Sequence, residues 1–145
     1  MKINIIEDES LKETEITIRC RKMNKELEEI ISRISLSHNT VAGVLGGETF
    51  FIPLVDILYF DSVDGKTFIY CDGREYESPL RLYQIEEELA GQCFSRISKS
   101  AIVNLRKVRS IRQEEHSRLM TTLVNGEKLM VSRQYVKEIK KVLGV

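Results

Sequence analysis

Apolar and polar residues alternate along short stretches of the chain, and this pattern predicts its first elements. The stretch ITIRCR, Ile16 to Arg21, alternates as a half-buried strand does. The following stretch, MNKELEEIISRISL, has four apolar residues at helical spacing, which predicts an amphipathic helix. These four residues are Leu27, Ile30, Ile31 and Ile34. A strand-helix extension is therefore predicted for residues 1–40.

A polar break, SHNT at residues 37–40, precedes a region rich in β-branched and aromatic residues. The stretches VAGVL, ETFFIP, DILYFDS and KTFIYC predict successive strands up to Ser78. The dipeptides Asp72-Gly73 and Asn125-Gly126 favour positive φ angles and predict two tight hairpins. The glycines of VLGGE predict a further β-turn. We expect a domain boundary near residue 40 and a second domain over residues 41–145.

Two further helices are predicted within the second domain. The stretch RLYQIEEELAG has Leu82, Ile85 and Leu89 on one face and ends in Gly91. The last helix, RQYVKEIKKVLG, follows Ser132 as a candidate N-cap and ends before Gly144. The predicted fold is mainly β (α+β), with antiparallel sheets and short helices.

The opening stretch, MKINIIEDES, is also typical of a phosphoacceptor receiver domain, in which acidic residues follow a first apolar strand. A receiver alternates strands with helices and carries its acceptor aspartate at the carboxyl end of a strand. Here Asp56 precedes the predicted strand ILYFDS, and 40 residues before the β region are too few for five strand-helix units. The pattern excludes a receiver, and EDES is predicted to be a solvated turn.

Composition describes an ordinary globular chain: 145 residues, 42% hydrophobic and 30% charged. No apolar run approaches the roughly 18 residues that cross a bilayer, and the N-terminus has acids where a signal peptide would be basic. We expect a cytoplasmic protein.

Cysteine and histidine are sparse and scattered. Cys20, Cys71 and Cys93 form no Cys-x-x-Cys pair, and only His38 and His116 could assist them. Reduced thiols are therefore expected, without a metal site or a cofactor. No nucleophile with a base and no phosphate-binding glycine loop is visible, so an enzyme is not predicted.

The net charge of zero conceals a division along the chain. Residues 1–95 carry 10 basic and 18 acidic side chains (−8), whereas residues 96–145 carry 12 basic and 4 acidic (+8). The stretch FSRISKSAIVNLRKVRSIRQ has six cations, small polar residues and no acid. This mixture can serve phosphate oxygens and base edges, although a basic edge strand that prevents sheet-to-sheet pairing is an alternative.

The order of residues in this region resembles the LytTR family of bacterial DNA-binding domains. The resemblance runs from about Ile52 to Leu143 and is carried by the strand DILY, the core FSRISKSAIVN and the junction VSRQY. It implies an elongated antiparallel β fold whose loops enter successive major grooves of double-stranded DNA. It also implies a stand-alone transcriptional regulator rather than an enzyme.

The resemblance places three contact segments on this sequence. SVDGKT carries Lys66 and Thr67 at base-approaching positions, although a solvated hairpin tip is an equal alternative. RISKS carries Lys99 at a base-reading position, with Arg96 and Ser100 as phosphate-side or loop-ordering residues. Ser98 stands where many relatives have histidine. Asn104 matches a frequent family residue for which we prefer a turn-stabilising role.

The third contact segment, VSRQ, leads into the last helix. With Ser132 as N-cap, Arg133 lies in the first turn, where free N–H groups and the helix dipole attract phosphate while the guanidinium reaches a guanine edge. Gln134 and Lys137 flank this site, whereas Lys140 and Lys141 are expected on a solvated face. Lys107, with Arg109 and Arg112, is included for its charge alone.

Partners follow from the same resemblance. Promoter DNA is expected, with a homodimer on direct repeats and, as for small stand-alone relatives, inhibition by a membrane-bound protein. Residues 1–40 would serve dimerisation or regulation. The alternative is a protein-interaction module that uses the N-terminal amphipathic helix and does not bind DNA.

Overall fold

The computed structural model describes residues 1–36 and 39–145 of the chain. They form three helices and ten strands. The helices are α1 (Lys25–Leu36), α2 (Leu82–Glu88) and α3 (Arg133–Leu143). The strands are β1 (Thr40–Leu45), β2 (Glu48–Pro53), β3 (Ile57–Val63), β4 (Lys66–Cys71), β5 (Arg74–Ser78), β6 (Phe94–Arg96), β7 (Ala101–Asn104), β8 (Val108–Gln113), β9 (Leu119–Leu123) and β10 (Lys128–Val131).

The strands form two antiparallel sheets. The larger sheet has seven strands in the order β2-β1-β5-β4-β3-β7-β6, and the smaller has three in the order β10-β9-β8. This confirms the predicted mainly β fold. Asp56 lies in a 3-10 turn that precedes β3, which is part of an antiparallel meander, so the exclusion of a receiver is also confirmed.

The turns form where glycine allows a positive φ angle. Gly46 and Gly47 join β1 to β2, and Gly73 joins β4 to β5, each with φ between 60° and 79°. Asn125-Gly126 lies between β9 and β10, which confirms both predicted hairpins. Gly144 ends α3 in the left-handed conformation, as predicted.

Two hydrophobic clusters hold the sheets and helices together. In the first, the predicted apolar face of α2 packs on residues such as Phe60 and Ile69 of the larger sheet. In the second, Ile139 of α3 packs with the smaller sheet and with Leu58 and Val103. The strand register shifts between Ile57 and Tyr59, so Ile57 and Phe60 join the first cluster, whereas Leu58 joins the second, against which Tyr59 also packs.

The N-terminal segment differs from its prediction. Residues 1–24 contain no helix or strand, and Ile16 and Ile18 are 61% and 40% exposed. The predicted strand over residues 16–21 is therefore wrong for the single chain. Its alternation is real, but a strand needs a neighbour for its backbone hydrogen bonds, and no sheet of the described residues lies against it.

Helix α1 forms as predicted but buries a different face. Ser32 and Ser35 are its buried residues, and their hydroxyls donate to helix carbonyls one turn earlier, at 2.8 and 2.9 Å. Leu27 and Ile30, from the predicted apolar face, are only half-buried. The helix packs on β1, so part of its apolar stripe lies to one side of that contact.

The chemical expectations for cysteine and histidine are tested in part. Cys20, Cys71 and Cys93 are free thiols, as predicted. His38 lies outside the described residues, and no metal-ligand cluster occurs in the ranges that the structure covers.

Among the described residues, no helix combines the length and the apolar character needed to cross a membrane.

Candidate nucleic-acid interface

Backbone hydrogen bonds bring the three sequence-predicted segments to one end of the molecule. The N–H of Ser62, at the end of β3, donates to the carbonyl of Ser100 at 2.7 Å. The N–H of Ser132, before α3, donates to the carbonyl of Ile97 at 2.8 Å. The loop between β6 and β7 thus lies between the β3–β4 hairpin and the start of α3.

The β3–β4 hairpin presents one of its two predicted residues. Asp64 and Gly65 form its turn with φ angles of 51° and 77°, and Lys66 follows as an exposed residue. Thr67 is 3% exposed. A base contact by Thr67 is therefore not supported, because strand alternation turns its side chain inward immediately after Lys66.

Arg81 supports the same hairpin and was not predicted from the sequence. Its guanidinium donates to the carbonyl of Gly65 at 2.7 Å, and its own N–H donates to Gln84 Oε1 at 2.8 Å at the start of α2. No local pattern indicates this contact, because 16 residues separate Arg81 from Gly65. Its exposed side chain adds a cation beside Lys66.

The β6–β7 loop is ordered by its own side chains. Arg96 donates through Nε to Glu86 Oε2 at 3.0 Å and through a terminal nitrogen to the Lys99 carbonyl at 2.8 Å. Ser98 Oγ accepts from the Ser100 N–H at 3.2 Å. The Arg96 side chain is only 16% exposed, which fits its predicted loop-ordering alternative. Lys99 and Ser100 remain exposed.

The start of α3 completes this end of the molecule. The helix begins at Arg133 as predicted, and Ser132 holds the N-cap position with an extended backbone. The Ser132 side chain makes no capping hydrogen bond, so the N–H groups of Arg133 and Gln134 keep their capacity to bind an anion, whereas that of Tyr135 donates to the Ser132 carbonyl at 2.9 Å. Arg133, Gln134 and Lys137 are exposed.

The exposed cations of this end are not neutralised by neighbouring acids. The two ion pairs of residues 1–36 and 39–145 join Arg96 to Glu86 and Arg112 to Glu114. Lys66, Lys99 and Arg133 are absent from both pairs. Their charges therefore remain available to a polyanion.

Lys107 does not belong to this group. Strand β7 runs antiparallel to β3, so its start, after Lys99, lies beside Asp61, and its end lies toward Ile57. Lys107 is half-buried in the 3-10 turn beyond that end. Lys107 was included for its charge alone, and the length of the strand places it at the opposite end from Lys99.

Asn104 has the structural role that we preferred for it. The residue is 2% exposed, and its side chain donates to the Ile57 carbonyl at 2.8 Å and accepts from the Arg106 N–H at 3.1 Å. These bonds fix the turn after β7.

Comparisons with known proteins bear on the family and the fold of this chain. Residues 47–144 match the model of the LytTr DNA-binding domain. The chain superposes on the solved LytTr DNA-binding domain of a Bacillus cereus protein with a TM-score of 0.69 and 25% identity, over 74% of this chain and 98% of that one. The end that carries the three sequence-predicted segments thus lies within the matched region.

Relatives extend over the whole chain. It is 30% identical over 148 residues to an uncharacterized HTH-type transcriptional regulator of Staphylococcus aureus strain NCTC 8325 / PS 47, covering 100% of this chain and 99% of that protein. A counterpart in strain MRSA252 is 29% identical with the same coverage. The family model and the relatives together show that this chain belongs to the LytTR family of DNA-binding domains.

Proposed function

We propose that this protein regulates transcription by binding specific sequences of double-stranded promoter DNA with residues 41–145. The contact surface comprises the β3–β4 hairpin tip, the β6–β7 loop and the first turns of α3. The observation that carries the proposal is the pair of backbone hydrogen bonds, Ser62 to Ser100 and Ser132 to Ile97, that fastens these three segments side by side. The residues proposed to contact DNA are Lys66, Lys99, Ser100, Arg133, Gln134 and Lys137.

The chemistry of these residues suggests that some contact bases and others contact phosphates. Arg133 and Lys99 suit guanine, whose O6 and N7 accept hydrogen bonds in the major groove. Ser100, Lys137 and the free N–H groups of α3 suit phosphate oxygens, which position a protein but carry little sequence information. Loops and a helix start would then enter successive major grooves from one side of the duplex.

The mode of binding differs from that of a helix-turn-helix. In the described residues, five strands separate α1 from α2 and five more separate α2 from α3, so no two helices are joined by a short turn. Only the N-terminal end of α3 belongs to the proposed surface. Specificity would therefore depend on loop and helix-end side chains rather than on a recognition helix.

We also propose a cellular compartment and an oligomeric state for the protein. It acts in the cytoplasm, where promoter DNA lies, as a homodimer whose extension, residues 1–40, serves dimerisation or regulation. Inhibition by a membrane-bound protein stays an expectation from the family resemblance.

Selection of bound sequences from a random duplex pool tests this function. We expect enrichment of one motif and an affinity that falls steeply with salt, because phosphate neutralisation releases counterions. The double variant Arg133→Ala with Lys99→Ala should lose about 1–3 kcal/mol for each base contact. Arg74→Ala with Lys141→Ala is the matched control, since it removes the same two charges from exposed positions outside the contact segments. Equal affinity of both folded double variants for the selected site would refute the proposal.

A further inference from the structure

The first 24 residues carry an unusual amount of exposed apolar surface. Ile3, Ile5 and Ile6 are 80% to 87% exposed, and Ile16 is 61% exposed. Globular proteins rarely leave many large apolar side chains in water unless a partner covers them. The segment is also outside the matched family domain, yet the full-length relatives span it. Its apolar side chains therefore call for a partner that the single chain does not supply.

The sequence of residues 13–21 indicates that this partner is a second copy of the same segment. The stretch is ETEITIRCR, with two acids before the centre, two arginines after it and two isoleucines flanking Thr17. When the stretch is read in reverse about Thr17, each acidic position coincides with an arginine: Glu13 with Arg21, and Glu15 with Arg19. Such a segment is complementary to a second copy of itself running in the opposite direction. None of its four charged side chains makes an ion pair within residues 1–36 and 39–145.

We propose that residues 13–21 of two copies pair as antiparallel strands about a two-fold axis at Thr17. Glu13 of each copy then lies opposite Arg21 of the other, Glu15 opposite Arg19, and Ile16 opposite Ile18. Because an isologous interface repeats each contact, the ribbon contains four cross-strand ion pairs and two apolar pairs. The proposal deepens the homodimer of the proposed function by naming its surface.

Charge specifies both direction and register. Parallel in-register pairing would set acids against acids and arginines against arginines, which is destabilising. An antiparallel shift that moves the axis to Ile18 keeps only the two pairs between Glu15 and Arg21. The register centred on Thr17 doubles that number, so it is the favoured one.

Strand alternation gives the ribbon one charged face and one apolar face. Ile16, Ile18 and Cys20 point to the same side, away from the charged residues. A two-stranded ribbon alone is marginal in water and needs a covering layer. Helix α1 begins only four residues after Arg21, and its Leu27 and Ile30 are half-buried, so the two α1 helices are the cover that lies nearest in the chain.

Charge reversal tests the pairing by measuring the molar mass and dimer dissociation constant in sedimentation equilibrium. Glu13→Arg with Glu15→Arg, and separately Arg19→Glu with Arg21→Glu, should each raise the dissociation constant at least about tenfold, since all four facing pairs become repulsive. An equimolar mixture of the two variants should form heterodimers. The fourfold variant that exchanges both sets should regain the wild-type constant. A monomeric wild type, or variants that dimerise equally well, would overturn the proposal.

Disulfide trapping tests the axis independently. In a Cys20→Ser background, Thr17→Cys places two thiols directly opposite, with Cβ atoms about 4.5–5.5 Å apart, close to disulfide geometry. Glu13→Cys is the matched control, because the two copies of that position lie eight residues apart along the ribbon, about 26 Å. We expect rapid cross-linking of the first variant and little of the second. Equal rates would overturn the proposed register.

Binding to a single half-site separates this inference from the proposed function. The reversed charges lie outside the contact end, so each variant should keep wild-type affinity for one half-site while its affinity for a double site falls. Loss of dimers with half-site binding intact supports the pairing. If the wild type forms the reversible dimer yet binds no DNA, the pairing holds and the proposed function fails.

Discussion

The backbone N–H of Ser132 donates a 2.8 Å hydrogen bond to the carbonyl oxygen of Ile97. Ile97 is 1% exposed and belongs to the second hydrophobic cluster, which also contains Ile139 of α3. The loop that carries Lys99 and the helix turn that carries Arg133 are therefore fixed to one packed base. A rigid base of this kind limits the ordering entropy that binding costs.

Lys99→Ala should weaken specific DNA binding by about 1–3 kcal/mol and reduce the salt dependence of binding by roughly one released ion. Lys107→Ala is the matched control, because it removes an equal charge from the opposite end of β7. Fluorescence anisotropy with one selected duplex over a range of salt concentrations measures both effects. A greater loss from Lys107→Ala would show that the contact surface has been assigned to the wrong end.

Arg96→Lys should reduce DNA affinity roughly twofold to tenfold, since it removes an ordering hydrogen bond worth about 0.5–1.5 kcal/mol. The ammonium of lysine lacks the planar fork that reaches both Glu86 and the Lys99 carbonyl. Stability against urea should change little, because the Glu86 side chain is 48% exposed and ion pairs at the surface contribute about 0–1 kcal/mol. Arg112→Lys, which alters the other ion pair, is the control for a general effect. Equal affinity in both variants would contradict the loop-ordering role.

Sequence reasoning found the local elements because their signals are local. Gly144, which ends α3, and the turn dipeptide Asp72-Gly73 act within a few residues of where they stand, and α3 begins directly after Ser132. The candidate contact loops were predicted from the family resemblance. Lys66 and Lys99 are exposed as that resemblance implies.

Sequence patterns did not indicate features that depend on the three-dimensional position of a side chain. Thr67 lies one residue from an exposed lysine, but one residue along a strand reverses the side-chain direction. Arg81 reaches Gly65 across a gap of 16 residues, which no local pattern encodes. The alternation of Ile16 to Arg21 indicates which side chains share a face, but it does not indicate which strand lies alongside. Among the described residues, no strand pairs with this segment.

Asn104→Ala should destabilise the protein by about 2–4 kcal/mol. The change leaves the Ile57 carbonyl and the Arg106 N–H without their hydrogen bonds at a site that is 2% exposed, and each unsatisfied group costs about 1–3 kcal/mol. Urea unfolding gives the value. Half-site affinity of the folded variant should stay unchanged, because this turn is at the opposite end of β7 from the contact loop. Normal stability with lost DNA affinity would instead make Asn104 a contact residue.

Stability should fall at alkaline pH because three groups, Cys71, Tyr59 and Tyr70, have raised pKa values and are held in their protonated forms, Tyr70 chiefly by burial. Burial, with a smaller contribution from Asp56, raises the pKa of the Cys71 thiol from 9.0 to about 11. Burial and the hydrogen bond to Glu127 also raise the pKa of Tyr59 above its ordinary value. The folded protein therefore binds more protons than the unfolded chain, and stability that is complete below pH 9 is lost as the pH rises toward 11.

Urea unfolding at a series of pH values measures this slope, and Cys71→Ser isolates the contribution of the thiol. The variant should lose less stability than the wild type between pH 9 and 11, because a serine hydroxyl does not titrate there. Cys20→Ser is the matched control, since Cys20 is exposed in the segment that has no secondary structure. If Cys71→Ser keeps the full wild-type slope, proton binding at the thiol does not contribute to the alkaline loss, and Tyr59→Phe or Tyr70→Phe must then reduce it.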